Sequence, residues 1–481
     1  MIFSVNRVRL NKKYSKGMFC DIITLDKRWI SKMKTALLRM ETAGMKGIKD
    51  WVSLDFYSKK TLSNFKLDDD NVRVLYGPNG VGKSSIMLSA YFIKQIVGNP
   101  SFIASLTRDS YTKLINKERG RFDVVFYFAS NDEKTNKWLG FRYSLTLNMD
   151  ESSPYIQKEK LERLVGVRWM DNYQTVLENE NGNLLSFLAE KGEDMFSDFK
   201  EYSKNVSREK SILTLFSSFF VKNNKRYVDY FVEEERSKDA FAIVSAIRFF
   251  RNLNVYVNPS DLPKIRPDEK DIDSFLKSIT REEFLSAARD ISLGDEDYDF
   301  ISLKEKEDYM EMIKRMKTFL QIFKSNIKDI RIDETIQRDK IRCRKIFVYP
   351  NYEVDYEFES TGIKNLSKMF TLLDFAADGG IVFIDEFDAN ISGVYLRKLV
   401  EYMNSYGKGQ LFFTAHSLDP MVSLSDKRKA LFFLGVDNKV TTWTKNGHYK
   451  PYNLYPEGMI EGAPFNIESF DFLKCFSSRK D

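Results

Sequence analysis

The sequence is poor in the residue types that build several common kinds of site. Its three cysteines, Cys20, Cys343 and Cys475, are far apart and never spaced as CxxC, so neither a disulfide framework nor a cysteine zinc site is expected. Only two histidines occur, His416 and His448, which argues against a histidine zinc centre. This cysteine usage is typical of a reducing compartment, and we expect a cytoplasmic location.

The sequence also lacks a long apolar run. No window approaches the roughly eighteen apolar residues of a membrane helix, and residues 1–7 do not open a signal peptide. We therefore expect no membrane partner and exclude a transporter subunit with its own membrane span, while a detached transporter ATPase stays open. With 43% hydrophobic residues in a chain of 481, two or three domains with a large core are expected.

Charge of one sign is not in large excess. The net charge of +6 permits an acidic partner such as nucleic acid without indicating one. Internal repeats, low-complexity tracts and the many heptads of a long coiled-coil arm are absent as well. A protein that tethers chromosomes over long distances is therefore not expected.

What the chain does contain is a phosphate-binding loop. Residues 77–84 (GPNGVGKS) fit the pattern GxxxxGK[ST] at every defined position, between an apolar strand pattern at 71–76 and a helical pattern that opens at 85. In such a loop the backbone N–H groups bind phosphates, Lys83 contacts the β- and γ-phosphates, and the Ser84 hydroxyl is offered to Mg2+. We expect ATP and Mg2+ to bind, with nucleotide contacts from Asn79, Gly80, Gly82, Lys83, Ser84 and Ser85.

A second apolar strand pattern, at 381–384 (IVFI), ends in two carboxylates. At the carboxyl end of a parallel strand, Asp385 would hold Mg2+ through water, and Glu386 would be the general base that activates the attacking water. Alone, such a pair is equally typical of a solvated loop. The phosphate loop upstream favours the catalytic interpretation.

A third apolar strand pattern, at 410–414, is followed by His416. A histidine after a core strand is usually structural, whereas a sensor of the γ-phosphate is needed at this place, and both interpretations stay open. We predict the sensor. The expected catalytic residues are thus Glu386, His416 and Lys83.

Residues 359–366 (ESTGIKNL) lead into a helical pattern at 367–373. Ser360 and Gly362 form a capping arrangement that can accept an anion at the start of a helix. In isolation a plain helix cap explains these residues as well.

In this order the motifs resemble those of ABC-type ATPases. Ser360 and Gly362 look like the signature motif, Asp388 falls in the place of the D-loop, and His416 matches the switch histidine. The resemblance implies that two copies clamp two ATP molecules, each between the phosphate loop of one copy and the signature of the other. It therefore implies a homodimer, or a higher homo-oligomer built on it.

The front end, residues 44–56 (GMKGIKDWVSLDF), is similar to the opening strands of the non-transporter branch with the RecF, Rad50 and SMC proteins. The motif-bearing parts, about 44–148 and 330–445, resemble the OLD-like ATPases of bacterial phage-defence and abortive-infection systems. Such ATPases work with or restrain a toxic effector. The residues after His416 are too few for the toprim nuclease domain of OLD proteins, so we expect a separate effector protein, a nuclease or other toxin.

The chain departs from the ABC pattern at two places. Ile363 stands where the signature usually has a second Gly or a Thr, and Lys364 could compensate by reaching a phosphate across the dimer. No glutamine marks the Q-loop, a further metal position that the resemblance implies. Gln157, which follows two paired-strand patterns at 122–129 and 138–147, is the best candidate. The expected metal ligands are then Ser84, Asp385 and Gln157.

The expected fold class is α/β, an ABC-type P-loop ATPase head of mixed and parallel sheet with flanking helices, interrupted by a mainly helical insert. We place the first part of the head at 1–150, the insert at 151–329, the second part at 330–445, and a tail packed on the head at 446–481. Pro259, Pro263 and Pro267 divide the insert. The tail is expected to end in a turn and a short helix near Phe470.

Within the insert, a helix is predicted at 303–327, where six apolar residues recur at intervals of three and four. This stripe indicates packed core rather than a partner site. Its residues are Tyr309, Ile313, Met316, Leu320, Phe323 and Ile327.

Four alternate cations, Arg338, Lys340, Arg342 and Arg344, would suggest a nucleic-acid track if they stood alone. A hairpin turn at 350–351 instead predicts cross-strand pairing with the acidic stripe that follows. The register would set Arg344 near Glu357 and Arg342 near Glu359.

The leading hypothesis is an ATPase that closes around ATP as a dimer and senses infection, or holds and releases an effector, in antiviral defence. A RecF-like ATPase that clamps DNA for repair is the alternative, and it predicts salt-dependent DNA affinity. A nucleotide-gated scaffold with little hydrolysis is a third.

Overall fold

The computed structural model describes most of the chain. The described residues are 33–63, 65–67, 71–132, 137–150, 153–187, 193–204, 208–227, 237–258, 261–262, 298–337, 340–389, 391–427, 429–444 and 449–463. Several sequence features lie outside them, namely Cys20, Cys475, His448, Arg338, the three prolines of the insert and the short helix expected in the tail.

Seventeen strands form in the described residues. They are β1 Thr35–Ala43, β2 Val52–Asp55, β3 Val72–Tyr76, β4 Phe122–Asp132, β5 Lys137–Met149, β6 Pro154–Leu164, β7 Tyr173–Glu180, β8 Asn183–Phe187, β9 Leu253–Tyr256, β10 Tyr298–Ser302, β11 Asp329–Gln337, β12 Lys340–Val348, β13 Glu353–Asp355, β14 Ile381–Ile384, β15 Gln410–Thr414, β16 Leu431–Leu434 and β17 Val440–Thr442.

The same residues form eleven α-helices and two 3-10 turns. The helices are α1 Lys83–Gly98, α2 Phe102–Ser105, α3 Arg108–Leu114, α4 Glu193–Lys204, α5 Ile212–Tyr227, α6 Ser237–Arg251, α7 Lys306–Phe323, α8 Thr361–Ala377, α9 Gly393–Tyr406, α10 Asp419–Ser423 and α11 Pro451–Leu454; the 3-10 turns are Leu303–Glu305 and Tyr356–Phe358. Among the described residues, no helix has both the length and the apolar character that crossing a bilayer requires.

A six-stranded sheet in the order β17-β16-β3-β15-β14-β9 carries the predicted motifs. Its inner strands pair in parallel, and every residue of β3, β14, β15 and β16 is buried. Continuous apolar runs suit this position because both faces of the sheet are covered. The loops after β3, β14 and β15 therefore emerge at the same edge.

Alternate residues of one strand serve the two faces of this sheet. In β14, Ile381 and Phe383 join the core that includes α1 and the antiparallel sheet, whereas Val382 and Ile384 join the core formed by α7, α8 and α9. The helix with the signature-like start thus packs on the sheet that carries the acidic pair.

A second sheet is antiparallel and has the order β2-β1-β4-β5-β6-β7-β8. The predicted pairing of the strands near 122–129 and 138–147 is confirmed, since Phe122 lies opposite Leu147.

Gln410 of β15 joins the two sheets, because its buried side chain exchanges two hydrogen bonds, of 2.7 and 3.0 Å, with the backbone of Leu37 in β1. The structure is therefore the mixed α/β fold that the sequence predicts.

The region 151–329 needs a correction. It contains helices, but β6, β7 and β8 continue the antiparallel sheet of β5, and β9 is an edge strand of the parallel sheet. The boundary predicted at residue 151 therefore falls inside one sheet, because β5 and β6 share a ladder from Phe141 opposite Arg163 to Met149 opposite Pro154. Strands of the region 151–329 therefore belong to both sheets of the ATPase head.

The apolar stripe predicted at 303–327 is packed core, as expected. Tyr309, Ile313, Met316, Leu320 and Ile327 are buried in the core that α7 shares with α8. The helix is shorter than predicted. It begins at Lys306 after a 3-10 turn and ends at Phe323, which is partly buried.

The hairpin between the charged stripes forms in the predicted register, with Ile346 opposite Asp355 and Val348 opposite Glu353. The predicted ion pairs are wrong in detail. The strand ends at Asp355 and turns into a 3-10 helix before Glu357 can face Arg344.

The cations of β12 find other partners. Arg344 pairs with Asp333 of β11 at 2.6 Å, and the Arg342 guanidinium lies 3.5 Å from the centre of the Tyr298 ring. The Glu359 carboxylate is held by Lys324 and Tyr349. Arg342 and Arg344 are thus engaged within the fold, which favours internal pairing over a nucleic-acid track for these two residues.

Candidate functional site

The phosphate loop joins β3 to α1 with the expected geometry. Gly80 and Gly82 have φ values of 81° and 109°, a left-handed conformation that glycine adopts without strain. At Gly82 a β-carbon would also lie 2.9 Å from the Ile48 side chain. The front-end segment around Ile48 therefore packs directly on the loop and excludes a larger residue there.

Lys83 lies over this loop. Its Nζ donates hydrogen bonds to the carbonyl oxygens of Gly77 (2.7 Å) and Pro78 (3.0 Å). Burial lowers the pKa of Lys83, and the nearby carboxylates Asp385, Glu386 and Asp388 act in the opposite direction. Lys83 and the carboxylates after β14 thus lie close enough to interact electrostatically, although they are distant in sequence.

The other loop residues differ in exposure. Asn79 and Gly80 are exposed, Ser84 is half-buried at the start of α1, and Ser85 is buried. Asn79, Gly80 and part of Ser84 are therefore open to solvent at the beginning of the helix, where the N–H groups have no intrahelical partner.

The acidic pair is fixed by a buried threonine. Thr414 lies at the end of β15 and is 1% exposed. Its Oγ1 donates a hydrogen bond to Asp385 Oδ1 at 2.6 Å. Thr414 Oγ1 also accepts a hydrogen bond from the backbone N–H of Glu386 at 2.7 Å. One hydroxyl thus orients the carboxylate of Asp385 and holds the backbone at Glu386. Glu386 is exposed, and its φ of 50° is unusual for a non-glycine residue.

Asp385 offers a suitable oxygen for Mg2+. Its Oδ2 is buried and has no hydrogen-bond partner among the described residues, although a buried carboxylate oxygen normally has one. Mg2+ prefers a small number of carboxylate or hydroxyl oxygens, with water and phosphate oxygens completing an octahedron. Asp385 and Ser84 fit this requirement.

Asp388 fixes the loop of its own chain that follows β15, residues 415–418, which we call the switch loop. Its Oδ2 accepts hydrogen bonds from the backbone N–H groups of His416 (2.7 Å) and Ser417 (2.6 Å). The resemblance places Asp388 in the D-loop, and the contacts that it makes in the structure lie within one copy. The His416 side chain is exposed, on a loop that these bonds fix in place.

The signature-like segment caps α8. Ser360 is the N-cap residue, and its hydroxyl accepts a hydrogen bond from Ile363 N at 3.4 Å. Ser360 and Gly362 are both exposed. The Lys364 ammonium donates to the backbone oxygen of Glu357 at 2.5 Å, so in this structure it is engaged within its own chain.

Gln157 is not brought to the site. It lies in β6 of the antiparallel sheet, and its Oε1 accepts a hydrogen bond from Asn148 at 3.2 Å. No hydrogen bond within the described part of the chain connects it with residues 77–84 or with Asp385. The role of metal ligand therefore has no support from its position.

The structure reveals a different polar residue beside the acidic pair. β9 pairs with β14, so that Tyr256 lies opposite Ile384, and Asn258 follows β9. Asn258 lines a cavity of about 220 Å3 together with Asp385, Glu386, Asn365 and residues of α8. No sequence signal marks this strand, because its four residues follow directly on α6.

Thr414→Val tests whether the threonine positions the site. Removing the hydroxyl while keeping the shape leaves Asp385 Oδ1 and Glu386 N without their partner, at a cost of about 1–3 kcal/mol for each buried group. We expect at least a tenfold lower kcat for ATP hydrolysis. The affinity for a fluorescent ATP analogue should become less dependent on Mg2+, since Asp385 is no longer oriented.

Thr414→Ser is the matched control, because it restores the hydroxyl and removes only a methyl group. It should recover most of both properties. Equal losses in the Ser and Val variants would assign Thr414 to packing alone.

The chain is similar to a known protein family and to a solved structure. Residues 72–419 match the family model described as "AAA domain, putative AbiEii toxin, Type IV TA system". No curated protein matches the chain. Among solved structures it is similar to the recombination mediator protein RecF, in the structure of RecF-ATPrS in the RecFOR pathway, with 13% identity, a TM-score of 0.37, and coverage of 85% of this chain and 99% of that chain. A likeness at that level leaves the function open.

The family match rests on much more of the molecule than one motif. It begins at the first residue of β3 and ends just after the switch loop, so both halves of the site lie within it. It also spans well over half of the chain. This chain is therefore a member of that AAA domain family of ATPases.

Proposed function

We propose that this chain binds and hydrolyses ATP at a dimer interface and that this cycle controls a separate effector protein in bacterial antiviral defence. One observation carries the ATPase part. Thr414 is hydrogen-bonded to both Asp385 and the backbone of Glu386, and Lys83 lies at the same edge of the sheet. Lys83, the candidate phosphate-binding cation, and Glu386, the candidate base, therefore share one site.

The residues divide the work as follows. The N–H groups at the start of α1 bind the phosphates of ATP, and Lys83 exchanges its two carbonyl partners for oxygens of the β- and γ-phosphates. Glu386 orients the attacking water and accepts its proton, and His416 contacts the γ-phosphate. Asp385 and Ser84 would hold Mg2+, which would neutralise charge that develops on the phosphates.

The dimer part rests on the exposed start of α8. Ser360 and Gly362 present a helix N-terminus to solvent, and an anion from outside the chain is a suitable partner for it. In the proposed dimer, this partner is the γ-phosphate bound to the second copy. Each copy then supplies half of each complete site.

Ser360→Arg tests this arrangement. The large side chain at the exposed cap should leave ATP binding by a single copy unchanged within about twofold, and should abolish ATP-dependent dimerisation and lower hydrolysis by at least tenfold, because a closed interface has no room for it. Light scattering after size exclusion, with and without ATP, measures the dimer. Full activity in this variant would show that α8 does not complete the site.

The family description, "putative AbiEii toxin, Type IV TA system", supports a role of this chain in a toxin system. That a separate protein is the effector is our proposal. To test it, tagged Glu386→Gln protein is recovered from its native host with ATP and Mg2+ after nuclease treatment, and bound protein and nucleic acid are both identified. A stoichiometric second protein that resembles a toxin supports the proposal. Protected DNA without a protein partner favours the repair clamp instead.

A further inference from the structure

The residue before the phosphate loop, Tyr76, is joined to the switch loop by a hydrogen bond. Tyr76 ends β3 and is 1% exposed, and its hydroxyl donates to the backbone oxygen of Ser417 at 3.0 Å. The two residues are 341 positions apart in the chain, and the pairing of β3 with β15 brings them together. A buried tyrosine usually finds a partner for its hydroxyl, and here that partner belongs to the loop that carries His416.

Aromatic packing fixes the position of the Tyr76 ring. Its centroid lies 6.1 Å from that of Phe433 in β16, in a stacked arrangement, and 5.6 Å from that of Tyr455, which follows α11. Phe433 and Tyr455 also pack on each other, with centroids 5.5 Å apart. The hydroxyl therefore has a defined place at the end of a held ring, and a phenylalanine would keep the same packing.

The Tyr76 hydroxyl also keeps its proton. Burial raises the pKa of Tyr76 well above its usual value, and the charge of Asp388 acts in the same direction, whereas a hydrogen bond with the backbone of Met421 opposes both. The hydroxyl is thus a donor to the Ser417 carbonyl at every pH at which ATP hydrolysis is ordinarily measured.

The switch loop is held through its backbone from two directions. The N–H groups of His416 and Ser417 donate to Asp388 at 2.7 and 2.6 Å, and the Ser417 carbonyl accepts from Tyr76. Asp388 follows β14 and Tyr76 ends β3, so the loop is attached to both strands that flank β15 in the sheet. Within the described residues, no hydrogen bond holds the His416 imidazole itself, so its direction follows from the backbone.

We propose that Tyr76 is a positioning residue for ATP hydrolysis, which acts through the Ser417 carbonyl to direct His416 toward the γ-phosphate. This inference rests on the proposed function, in which His416 contacts that phosphate. Because Tyr76 directly precedes Gly77, the segment that binds the phosphates also sets the place of the side chain that contacts them. Such precision matters, since a misplacement of about 1 Å can cost about 10²-fold in rate.

Tyr76→Phe tests the proposal, because it removes the hydroxyl and keeps the ring. We expect kcat in a phosphate-release assay to fall about tenfold through the misplaced imidazole. The affinity for a fluorescent ATP analogue should stay within twofold, since the phosphate loop itself is unchanged. In a His416→Ala background the same substitution should lower kcat less than twofold further, because its effect passes through His416.

Tyr111→Phe is the matched control. Tyr111 is 2% exposed, and its hydroxyl donates to the backbone oxygen of Leu147 in the antiparallel sheet at 3.3 Å. The same chemical change is therefore made at a buried tyrosine that does not contact the switch loop. It should alter kcat less than twofold.

A second measurement is independent of turnover. The chain has only two histidines, so NMR of labelled histidine follows the His416 imidazole, and a His448→Gln variant assigns its signals. In a Glu386→Gln background, ATP should change the chemical shifts of this ring. Tyr76→Phe should reduce that change by at least half.

The outcomes separate the two proposals. A wild-type protein without ATPase activity, or a His416→Ala variant with full activity, contradicts the proposed function, and this inference with it. If both behave as proposed, the positioning role alone is overturned by a Tyr76→Phe variant within twofold of wild type, by an equal loss in the control, by losses that multiply in the double variant, or by a loss of ATP binding. A tenfold loss that disappears in the His416→Ala background, with an unchanged control, supports the assignment.

Discussion

Lys83→Ala should abolish measurable ATP binding, with at least a hundredfold loss of affinity. The loop can still fold, since its left-handed turns belong to Gly80 and Gly82, but the cation that neutralises the β- and γ-phosphates is gone. Lys83 is buried among loop carbonyls and faces three carboxylates, so no neighbouring charge replaces it. Equilibrium titration with a fluorescent ATP analogue measures the loss.

Lys49→Ala is the matched control. Lys49 follows Ile48, which packs on Gly82, and it is an exposed lysine paired with Glu118. Its removal lowers the charge near the loop by the same amount without touching the phosphate position, so we expect less than a threefold change. A comparable loss in both variants would reduce the role of Lys83 to general electrostatics.

Glu386→Gln should separate binding from hydrolysis. The amide keeps the shape of the side chain but cannot take a proton from water, and a general base contributes about 10²–10⁴-fold to the rate. Because Thr414 holds the backbone N–H of residue 386 and not its side chain, the loop should keep its conformation. We expect unchanged ATP affinity, at least a hundredfold lower kcat in a phosphate-release assay, and accumulation of an ATP-bound dimer.

Glu401→Gln provides the comparison for this substitution. Glu401 is a surface carboxylate on α9, paired with Arg397 and Lys398, and its conversion to an amide should leave hydrolysis unchanged within twofold. If Glu386→Gln lost ATP binding to the same degree as Lys83→Ala, the division of roles between the two residues would be wrong.

Some elements were predictable because their signal is local. The segment 77–84 defines its own turn through Gly80 and Gly82, and residues 381–384 of β14 and 411–413 of β15 are continuously apolar. The stripe of α7 follows from its spacing alone. The register of the β12–β13 hairpin also followed from its short turn, but its ion pairs did not, since they depend on where β13 ends.

Other parts depend on contacts between distant segments. β9 is four residues long, and only its pairing with β14 shows that it belongs to the parallel sheet and brings Asn258 beside Asp385. Gln157 was chosen by its order after β5, but β6 turns back along β5 and carries it into the other sheet. Thr414 ends a strand that the sequence predicts, but the sequence does not show that its hydroxyl contacts Asp385. That contact forms because β15 pairs with β14.

The assembly of the parallel sheet from remote strands has a consequence for synthesis. The strands lie at residues 72–76, 253–256, 381–384, 410–414 and 431–434. The pairings of β9 with β14 and of β3 with β15 and β16 each close a long loop of chain. Sheets of this kind form slowly, because the entropy of closing such loops precedes the gain from pairing. While the chain emerges from the ribosome, the phosphate loop is present long before β14 and β15, so the site that we propose for ATP is incomplete until residues 381–416 have been made.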